Sequence, residues 1–333
     1  MTNLNETDID IVQEVERLGE LVSRARQNIG NVIFGQTQVV DFTLAALLGG
    51  GHALLVGVPG LAKTRLVETI ARVLGMEETR IQFTPDLMPA DILGSEVLAE
   101  TPEGQRSFRF LKGPVFTQLL MADEINRASP RTQSALLQAM QERHVTIGGK
   151  RYDLPHPFHV LATQNPLEHE GTYPLPEAQL DRFLMEIDIS YPDLAAERRM
   201  LFATTGDSQG QAEQVMTPED LMAAQRLVRR MPVGDNVVNA ILELVRRARP
   251  GEEGADPEIT KHLGWGPGPR ASQAFMLAAR AKCLMEGRLA PSIDDINDLA
   301  QPVLKHRMAL SFAARAEGLD IPALIRRLCA SLG

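Results

Sequence analysis

Two stretches of the sequence carry residue types that bind and hydrolyse phosphate esters. The first is a glycine-rich loop that ends in Lys63 and Thr64, follows a short apolar run and precedes a helical pattern. Free backbone N–H groups at a helix amino terminus bind polyphosphate, with the lysine on its β and γ oxygens and the hydroxyl on Mg²⁺. The sequence therefore predicts a phosphate-binding loop. Its residues are Gly57, Val58, Pro59, Gly60, Leu61, Ala62, Lys63, Thr64 and Arg65.

The loop departs from the usual motif at one position, because Ala62 stands where the second glycine is expected. We expect alanine to be tolerated there if residue 62 has helical dihedral angles. A loss of nucleotide affinity relative to an Ala62→Gly variant would count against that hypothesis.

The second stretch is an apolar run that ends in two adjacent carboxylates, Asp123 and Glu124. Neighbouring residues on a strand point to opposite sides, so the two carboxylates cannot serve the same group in the same way. This division suits hydrolysis of a nucleoside triphosphate, with Asp123 holding Mg²⁺ and Glu124 activating the attacking water. A strand that simply meets solvent at its end is the alternative, but the loop upstream favours a site.

Three further polar residues are candidates for the same chemistry. Asn165 follows another apolar run, and the carboxyl edge of a parallel sheet is where ligands bind, so it could bond the γ-phosphate or the lytic water. Arg182 precedes the last apolar run, and Arg270 opens a helical pattern downstream. A lone arginine is more often a solvated or ion-paired surface residue.

The order of the apolar runs predicts the architecture that must position these residues. Strand-like runs alternate with helical patterns, which is typical of an α/β domain with a mostly parallel sheet; they span 53–56, 79–84, 118–122, 158–162 and 183–189. Two β-hairpins interrupt the alternation, one formed by 92–98 and 107–111 and one by 145–154. After residue 193 we expect only helices, so we predict an N-terminal helical segment (1–30), an α/β core (31–192) and an all-α lid (193–333).

Composition limits the class of protein. The formal net charge of −9 argues against recruitment of nucleic acid or anionic membrane, and the two cysteines, far apart, suggest neither a disulfide framework nor a metal knuckle. The amino terminus lacks the pattern of a secretory signal, which predicts a cytoplasmic protein. Residues 43–62 carry no formal charge and are long enough to cross a bilayer, but consecutive glycines at 49–51 divide them, so we expect no membrane insertion.

The wording of three blocks, 81–94, 122–143 and 162–183, resembles the MoxR family of AAA+ ATPases, and the resemblance extends from about residue 31 onward. It implies an ATPase with Mg²⁺ as cofactor and a P-loop core followed by a helical lid. It also implies a Walker A loop at 57–64, Walker B at Asp123 and Glu124, sensor 1 at Asn165, an arginine finger at Arg182 and sensor 2 at Arg270. By the same resemblance adenine would lie against Val32, Ile33 and Phe34. Arg127, just past Walker B, either faces a neighbouring subunit or pairs with an acid of its own chain.

An arginine finger acts from the next subunit, so the resemblance predicts a ring, most simply a homohexamer, in which Arg182 completes each neighbour's site. Arg270 would join the lid to the γ-phosphate. The family's members act as chaperone-like motors on a protein client, often with an adaptor that has a von Willebrand factor A domain. The alternatives are a nucleic-acid-stimulated, helicase-like motor, a chelatase-type motor subunit, and a nucleotide-gated scaffold without hydrolysis.

Overall fold

A computed structural model describes residues 6–100, 106–168, 170–205, 212–330 and 332. The helices are α1 (Glu6–Gly30), α2 (Thr37–Leu48), α3 (Lys63–Val73), α4 (Pro89–Leu93), α5 (Pro130–Glu142), α6 (Glu177–Leu180), α7 (Leu194–Thr205), α8 (Pro218–Arg230), α9 (Asp235–Arg247), α10 (Pro257–Thr260), α11 (Pro269–Met285), α12 (Ile293–Leu304), α13 (Phe312–Ala316) and α14 (Ile321–Cys329). The strands are β1 (Ala53–Val56), β2 (Glu78–Gln82), β3 (Gly94–Glu100), β4 (Arg106–Lys112), β5 (Leu119–Asp123), β6 (His144–Ile147), β7 (Lys150–Asp153), β8 (His159–Gln164), β9 (Met185–Asp188), β10 (Leu263–Trp265) and β11 (Ala309–Leu310). Two short 3-10 turns, Ile125–Arg127 and Lys305–Arg307, complete the elements of the described ranges.

The central sheet has five parallel strands in the order β2-β5-β8-β1-β9. The predicted α/β class is therefore confirmed, and each predicted strand lies within two residues of its observed bounds. Because all five strands run the same way, the residues that follow β1, β5 and β8 emerge at one edge. This carboxyl edge receives the loop after β1 and the polar residues after β5 and β8, with β8 between the other two strands.

Alternation along the strands divides the core into two hydrophobic clusters. Ala53 and Leu55 belong to one cluster with helices α1, α2, α3 and the lid helices, whereas Leu54 belongs to the other, with α5. The first cluster runs without a break from α1 through the sheet to α8, α9, α11 and α12. Residues on both sides of the predicted boundary at 192 and 193 thus share one apolar core.

Two β-hairpins project from the core, as the sequence predicts. Strand β3 pairs with β4, and β6 pairs with β7, each antiparallel; the predicted turn of the first, at 101–104, lies outside the described residues. The hairpins contact each other, because the rings of Phe110 and Tyr152 stack with centroids 4.1 Å apart. The two hairpins therefore support one another.

The lid is helical, and its helix starts follow the predicted signals. Thr217 and Ser292 accept the N–H of Asp220 and Asp295 in capping boxes. The prediction of helices only is wrong in one detail, because β10 and β11 form a small antiparallel ladder. The glycines and prolines before α11 prevent a helix there and leave the chain extended beside the segment that follows α12. No helix of the described residues is long and apolar enough to span a membrane.

Candidate active site

The phosphate loop connects β1 to α3, and α3 begins at Lys63. The ammonium group of Lys63 donates to the carbonyl oxygens of Gly57 at 2.5 Å and Val58 at 3.5 Å, so the side chain folds over the loop. Burial lowers the pKa of Lys63, and the negative charges of Asp123 and Glu124 oppose that shift. The lysine and the two carboxylates are therefore electrostatic neighbours, as the sequence predicts.

Ala62 has φ 55° and ψ 28°, in the left-handed region. The condition under which we expected alanine to be tolerated, helical dihedral angles at this position, is therefore not met. A residue with a β-carbon is less stable there by about 1 to 2 kcal/mol, whereas glycine has no such penalty. The loop holds its alanine under local strain.

Asp123 is the last residue of β5 and is 8% exposed. Its Oδ1 accepts the hydroxyl hydrogen of Thr163 at 2.6 Å, and its Oδ2 accepts Nη2 of Arg80 at 2.6 Å. The sequence pattern around Asp123 indicates neither partner. Thr163 lies on β8 and Arg80 on β2, the two strands that flank β5, so they become visible only once the strand order is known.

Glu124 follows the strand in a left-handed conformation, φ 55°. Its Oε2 accepts Nε2 of Gln82 at 2.7 Å and Nη1 of Arg127 at 3.0 Å. Arg127 also lies 3.7 Å from Glu168. Arg127 thus pairs with acids of its own chain, and whether it also faces a neighbouring subunit stays a prediction.

Asn165 follows β8 and is 8% exposed. Its Oδ1 accepts the N–H of Leu167 at 3.1 Å, and its Nδ2 donates to Glu168 at 3.5 Å. The preceding carbonyl, of Gln164, accepts the N–H of Gly57 at 3.1 Å. Asn165 thus lies directly beside the start of the phosphate loop, on the strand between the loop and the carboxylates.

The segment with Val32, Ile33 and Phe34 also reaches this edge. Val32 and Ile33 are buried in the first hydrophobic cluster, and Phe34 is half-buried. The next residues are tied to the chain after β9, because Gln36 donates to the carbonyl of Ser190 at 2.7 Å. Ser190 follows Ile189, which packs against Gly57, so the candidate adenine segment is connected to the loop through two contacts.

Arg182 and Arg270 lie at the other edge of the sheet. Arg182 precedes β9 and lines a pocket of about 190 Å³ together with Arg270 and with Gly51 and His52, which precede β1. Arg270 contacts Asp181 at 3.9 Å. Burial lowers the pKa of Arg182, and the positive charge of Arg270 adds to the shift. The two guanidinium groups are thus close neighbours at the amino edge.

In this arrangement Arg270 lies away from the phosphate loop of its own chain. The whole length of β1, about 13 Å at 3.3 Å per residue, separates the amino edge from the phosphate loop. The start of α11 packs against the segment before β9 and not against the loop after β1. Arg270 therefore lies next to Arg182 and far from Lys63.

The histidines near this edge are buried and bonded to protein groups. Nδ1 of His159 donates to the carbonyl of Gly51 at 2.7 Å, and its Nε2 accepts from Gln225 at 2.9 Å. Burial lowers the pKa of His159 to about 4 and that of His52 to about 3. Within the described residues no group of three metal-ligating side chains is present.

Comparisons with known proteins agree with this geometry. A model of the AAA family, ATPases associated with various cellular activities, matches residues 52–185, and an AAA lid domain model matches residues 259–328. The chain is 42% identical to the chaperone MoxR1 of Mycobacterium tuberculosis over 92% of this chain and 80% of that protein. It is 34% identical to the protein MoxR of Paracoccus denitrificans over 90% and 92% of the two chains.

A solved structure is similar as well. The crystal structure of a proposed ATPase from Cytophaga hutchinsonii superposes with a TM-score of 0.88 at 36% identity, covering 96% of this chain and 97% of that one. Similarity in sequence, fold and domain order thus extends over nearly the entire chain, and the loop after β1 and the carboxylates at the end of β5 lie at one edge of the sheet. The chain belongs to the MoxR family of AAA+ ATPases and is an ATP hydrolase.

Proposed function

We propose that this ATPase works as a ring in which each active site is completed by the neighbouring subunit, and that it remodels or matures a protein complex. The observation that carries the proposal is the separation of two sets of groups. Lys63, Asp123, Glu124 and Asn165 lie at the carboxyl edge of the sheet, whereas Arg182 and Arg270 lie at the amino edge. A single chain cannot bring both sets to one nucleotide.

On the nucleotide side, ATP would lie across the loop, with adenine against Val32, Ile33 and Phe34. The N–H groups of residues 57–65 and the ammonium of Lys63 would bind the phosphates. A hydroxyl and a carboxylate, from Thr64 and Asp123, fit the hard-oxygen preference of Mg²⁺, which neutralises charge on the β- and γ-phosphates. Glu124 would accept the proton of the attacking water, and Asn165 would orient that water or the γ-phosphate.

On the arginine side, Arg182 and Arg270 would enter the active site of the next subunit together. A contact between unlike edges is heterologous, and it forms a closed assembly only if the subunits complete a ring, for which we propose a hexamer. An arginine supplied from a neighbour can increase the rate about 10³- to 10⁵-fold. Because both arginines come from the same edge, Arg270 would act in the neighbour's site and not in its own.

The test is complementation between two inactive variants. Glu124→Gln removes the base but keeps the arginine edge, and Arg182→Ala does the reverse, so each alone should lose more than about 100-fold in kcat. Mixed rings contain some sites with an intact base and an intact arginine, so activity should return in part. Arg17→Ala, at an exposed position of α1, is the control and should keep full turnover. Failure of the mixture to exceed its components would contradict shared sites.

The client is proposed to be a protein, reached directly or through an adaptor with a von Willebrand factor A domain, in the cytoplasm. The acidic net charge of −9 supports a protein over nucleic acid. The relative from Mycobacterium tuberculosis is named a chaperone, which agrees with this class. Affinity capture with Glu124→Gln in ATP should retain the client or adaptor, whereas the Lys63→Ala variant, which lacks the phosphate ligand, should not.

One observation favours a second candidate, a nucleic-acid-stimulated motor. The hairpin strand β4 exposes Arg106, Arg109 and Lys112. If these side chains bind phosphates, single-stranded DNA should stimulate ATP hydrolysis, and the stimulation should fall steeply as salt increases. Unchanged turnover at low salt would exclude this reading.

A further inference from the structure

Arg307 is the largest fully buried side chain of the described residues, with 1% of its surface exposed. It belongs to the 3-10 turn Lys305–Arg307 that follows α12 in the lid. A guanidinium group has five N–H donors, and all five have acceptors. The bonds run to Asp181 Oδ1 (2.7 Å), the carbonyl oxygens of Val303 (2.6 Å), Phe183 (2.6 Å), Leu184 (3.2 Å) and Asp181 (3.4 Å).

Four of the five acceptors belong to residues 181–184, the segment that carries Arg182. The neighbouring His306 adds a contact between its Nε2 and the carbonyl of Phe183 at 3.1 Å. Oδ2 of Asp181 also lies 3.9 Å from Arg270. One turn of the lid therefore forms hydrogen bonds to the backbone on both sides of Arg182, and the Asp181 carboxylate connects this turn to Arg270.

Stability alone does not account for this arrangement. Burial lowers the pKa of Arg307, which shows that the charged form has a desolvation penalty that Asp181 opposes. A buried ion pair is often no more stabilising than apolar side chains of the same volume. What an apolar side chain could not do is fix three carbonyl groups and a carboxylate in one plane, because that requires the guanidinium fork.

We propose that Arg307 is a positioning residue for Arg182: it clamps residues 181–184 to the lid, so that the lid and the arginine edge move as one body. The inference rests on the proposed shared site. Arg307 does not reach any nucleotide itself. It acts through the backbone of the Arg182 segment and through Asp181, at the edge opposite the phosphate loop.

The expected kinetic signature follows from that position. Arg307→Lys keeps the charge but loses the fork, and Asp181→Asn removes the carboxylate. Both variants should lower kcat at least tenfold. Binding of a fluorescent ATP analogue to the variant's own phosphate loop should change less than twofold, because the loop lies at the other edge.

Arg288→Lys is the matched control. Arg288 and Asp295 form another arginine–carboxylate pair of the lid, at 2.7 Å, and their hydrogen bonds in the described part of the chain run to residues other than 181–184. This variant also replaces the guanidinium of a lid ion pair by an ammonium, at a more exposed position, and should keep at least half of wild-type kcat. An equal loss of kcat in the Arg288 variant would mean that any damage to the lid is sufficient, and would overturn the proposal.

Complementation gives the decisive readout, since it separates a subunit's own site from the arginine edge that it presents. An Arg307→Lys subunit should regain turnover when mixed with Glu124→Gln, whose arginine edge is intact. It should gain nothing when mixed with Arg182→Ala. Equal recovery in the two mixtures, or wild-type kcat of Arg307→Lys alone, would contradict the positioning role.

Two outcomes separate this inference from the proposed function. If Arg182→Ala itself keeps full turnover, the shared site is wrong. If Arg182→Ala is inactive while Arg307→Lys and Asp181→Asn are both fully active, only the positioning role is wrong. Should Arg307→Lys fail to fold, Asp181→Asn carries the same comparison, because its side chain is at the margin of the buried cluster with 18% exposure.

Discussion

The hydroxyl of Thr163 donates to Oδ1 of Asp123 at 2.6 Å, and the Thr163 hydroxyl oxygen accepts the backbone N–H of Glu124 at 2.8 Å. One fully buried side chain thus holds the carboxylate of Asp123 and the backbone N–H of Glu124. Thr163→Val keeps the shape but removes the oxygen and leaves two buried groups without a partner, each at about 1 to 3 kcal/mol.

For Thr163→Val we therefore expect kcat to fall about tenfold or more and the free energy of unfolding to fall by about 2 to 6 kcal/mol. Steady-state ATP hydrolysis and urea unfolding measure the two effects. Thr163→Ser retains the oxygen and should recover most of both. Full activity of the valine variant would show that Asp123 and Glu124 need no support from β8.

The left-handed conformation of Ala62 predicts that Ala62→Gly stabilises the protein. Glycine relieves about 1 to 2 kcal/mol of strain but loses about 0.4 to 1 kcal/mol through the greater freedom of the unfolded chain. The free energy of unfolding should therefore rise by up to about 1.6 kcal/mol. Nucleotide affinity should be equal to or higher than that of the natural chain.

Ala71→Gly in the interior of α3 is the control for this substitution. Residue 71 is helical, so glycine there should cost about 1 kcal/mol. Urea denaturation of both variants shows whether each substitution raises or lowers the free energy of unfolding. Destabilisation of similar size in the two variants would show that the strain at residue 62 is too small to matter.

Three buried histidines predict that the protein loses stability in mild acid. Burial lowers the pKa of His52 to about 3, of His159 to about 4, and of His306 well below its usual value. The unfolded chain titrates near 6.5, so protonation below that pH favours unfolding, and stability is complete only above it. At pH 5 each of these histidines should lower the free energy of unfolding by about 2 kcal/mol relative to pH 7.

Urea unfolding at pH 7 and pH 5 measures the loss. His159→Gln can keep hydrogen bonds to its neighbours but does not titrate, so its loss of stability between the two pH values should be smaller by about 2 kcal/mol. An equal loss in the variant and the natural chain would show that His159 is protonated in the folded state.

The two cysteines should differ in reactivity. Cys283 is fully buried, and burial raises the pKa of its thiol to about 12, whereas Cys329 is partly exposed and lines a pocket of about 300 Å³. The thiolate is the reactive form, so a thiol reagent should modify Cys329 in the folded protein and Cys283 only after unfolding. Cys329→Ser should abolish the reaction of the folded chain. Two equally fast thiols would contradict the burial of Cys283.

Sequence patterns predict this fold well because strand, loop and helix follow one another with clear local signals. The run that forms β1 is apolar throughout, Lys63 and Thr64 follow it, and α3 begins at once. The acidic capping boxes at Thr217 and Ser292 mark the lid helices in the same local way. These features depend on neighbours along the chain.

The residues that the sequence pattern does not indicate depend on neighbours that are distant along the chain and close in space. Arg80 and Gln82 reach Asp123 and Glu124 only because β2 pairs with β5, and Thr163 does so only because β8 is the other neighbour. Arg307 meets Asp181 across a separation of 126 residues. Such contacts depend on the strand order and on where the lid packs against the core, and no short stretch of sequence indicates either. The same holds for Arg270, whose edge is set by the packing of α11.

In the proposed ring, the Lys63 and Arg182 sets of groups lie on opposite edges of one sheet, and this placement has a consequence for stoichiometry. Two subunits related by a twofold axis would have to join both edges at once, which one straight sheet cannot do. A pair of subunits would therefore hold a single complete site, and each subunit added to an open row would contribute one more. Only a closed ring would leave no edge without a partner. Turnover per subunit should therefore rise with protein concentration and level off when the ring is complete.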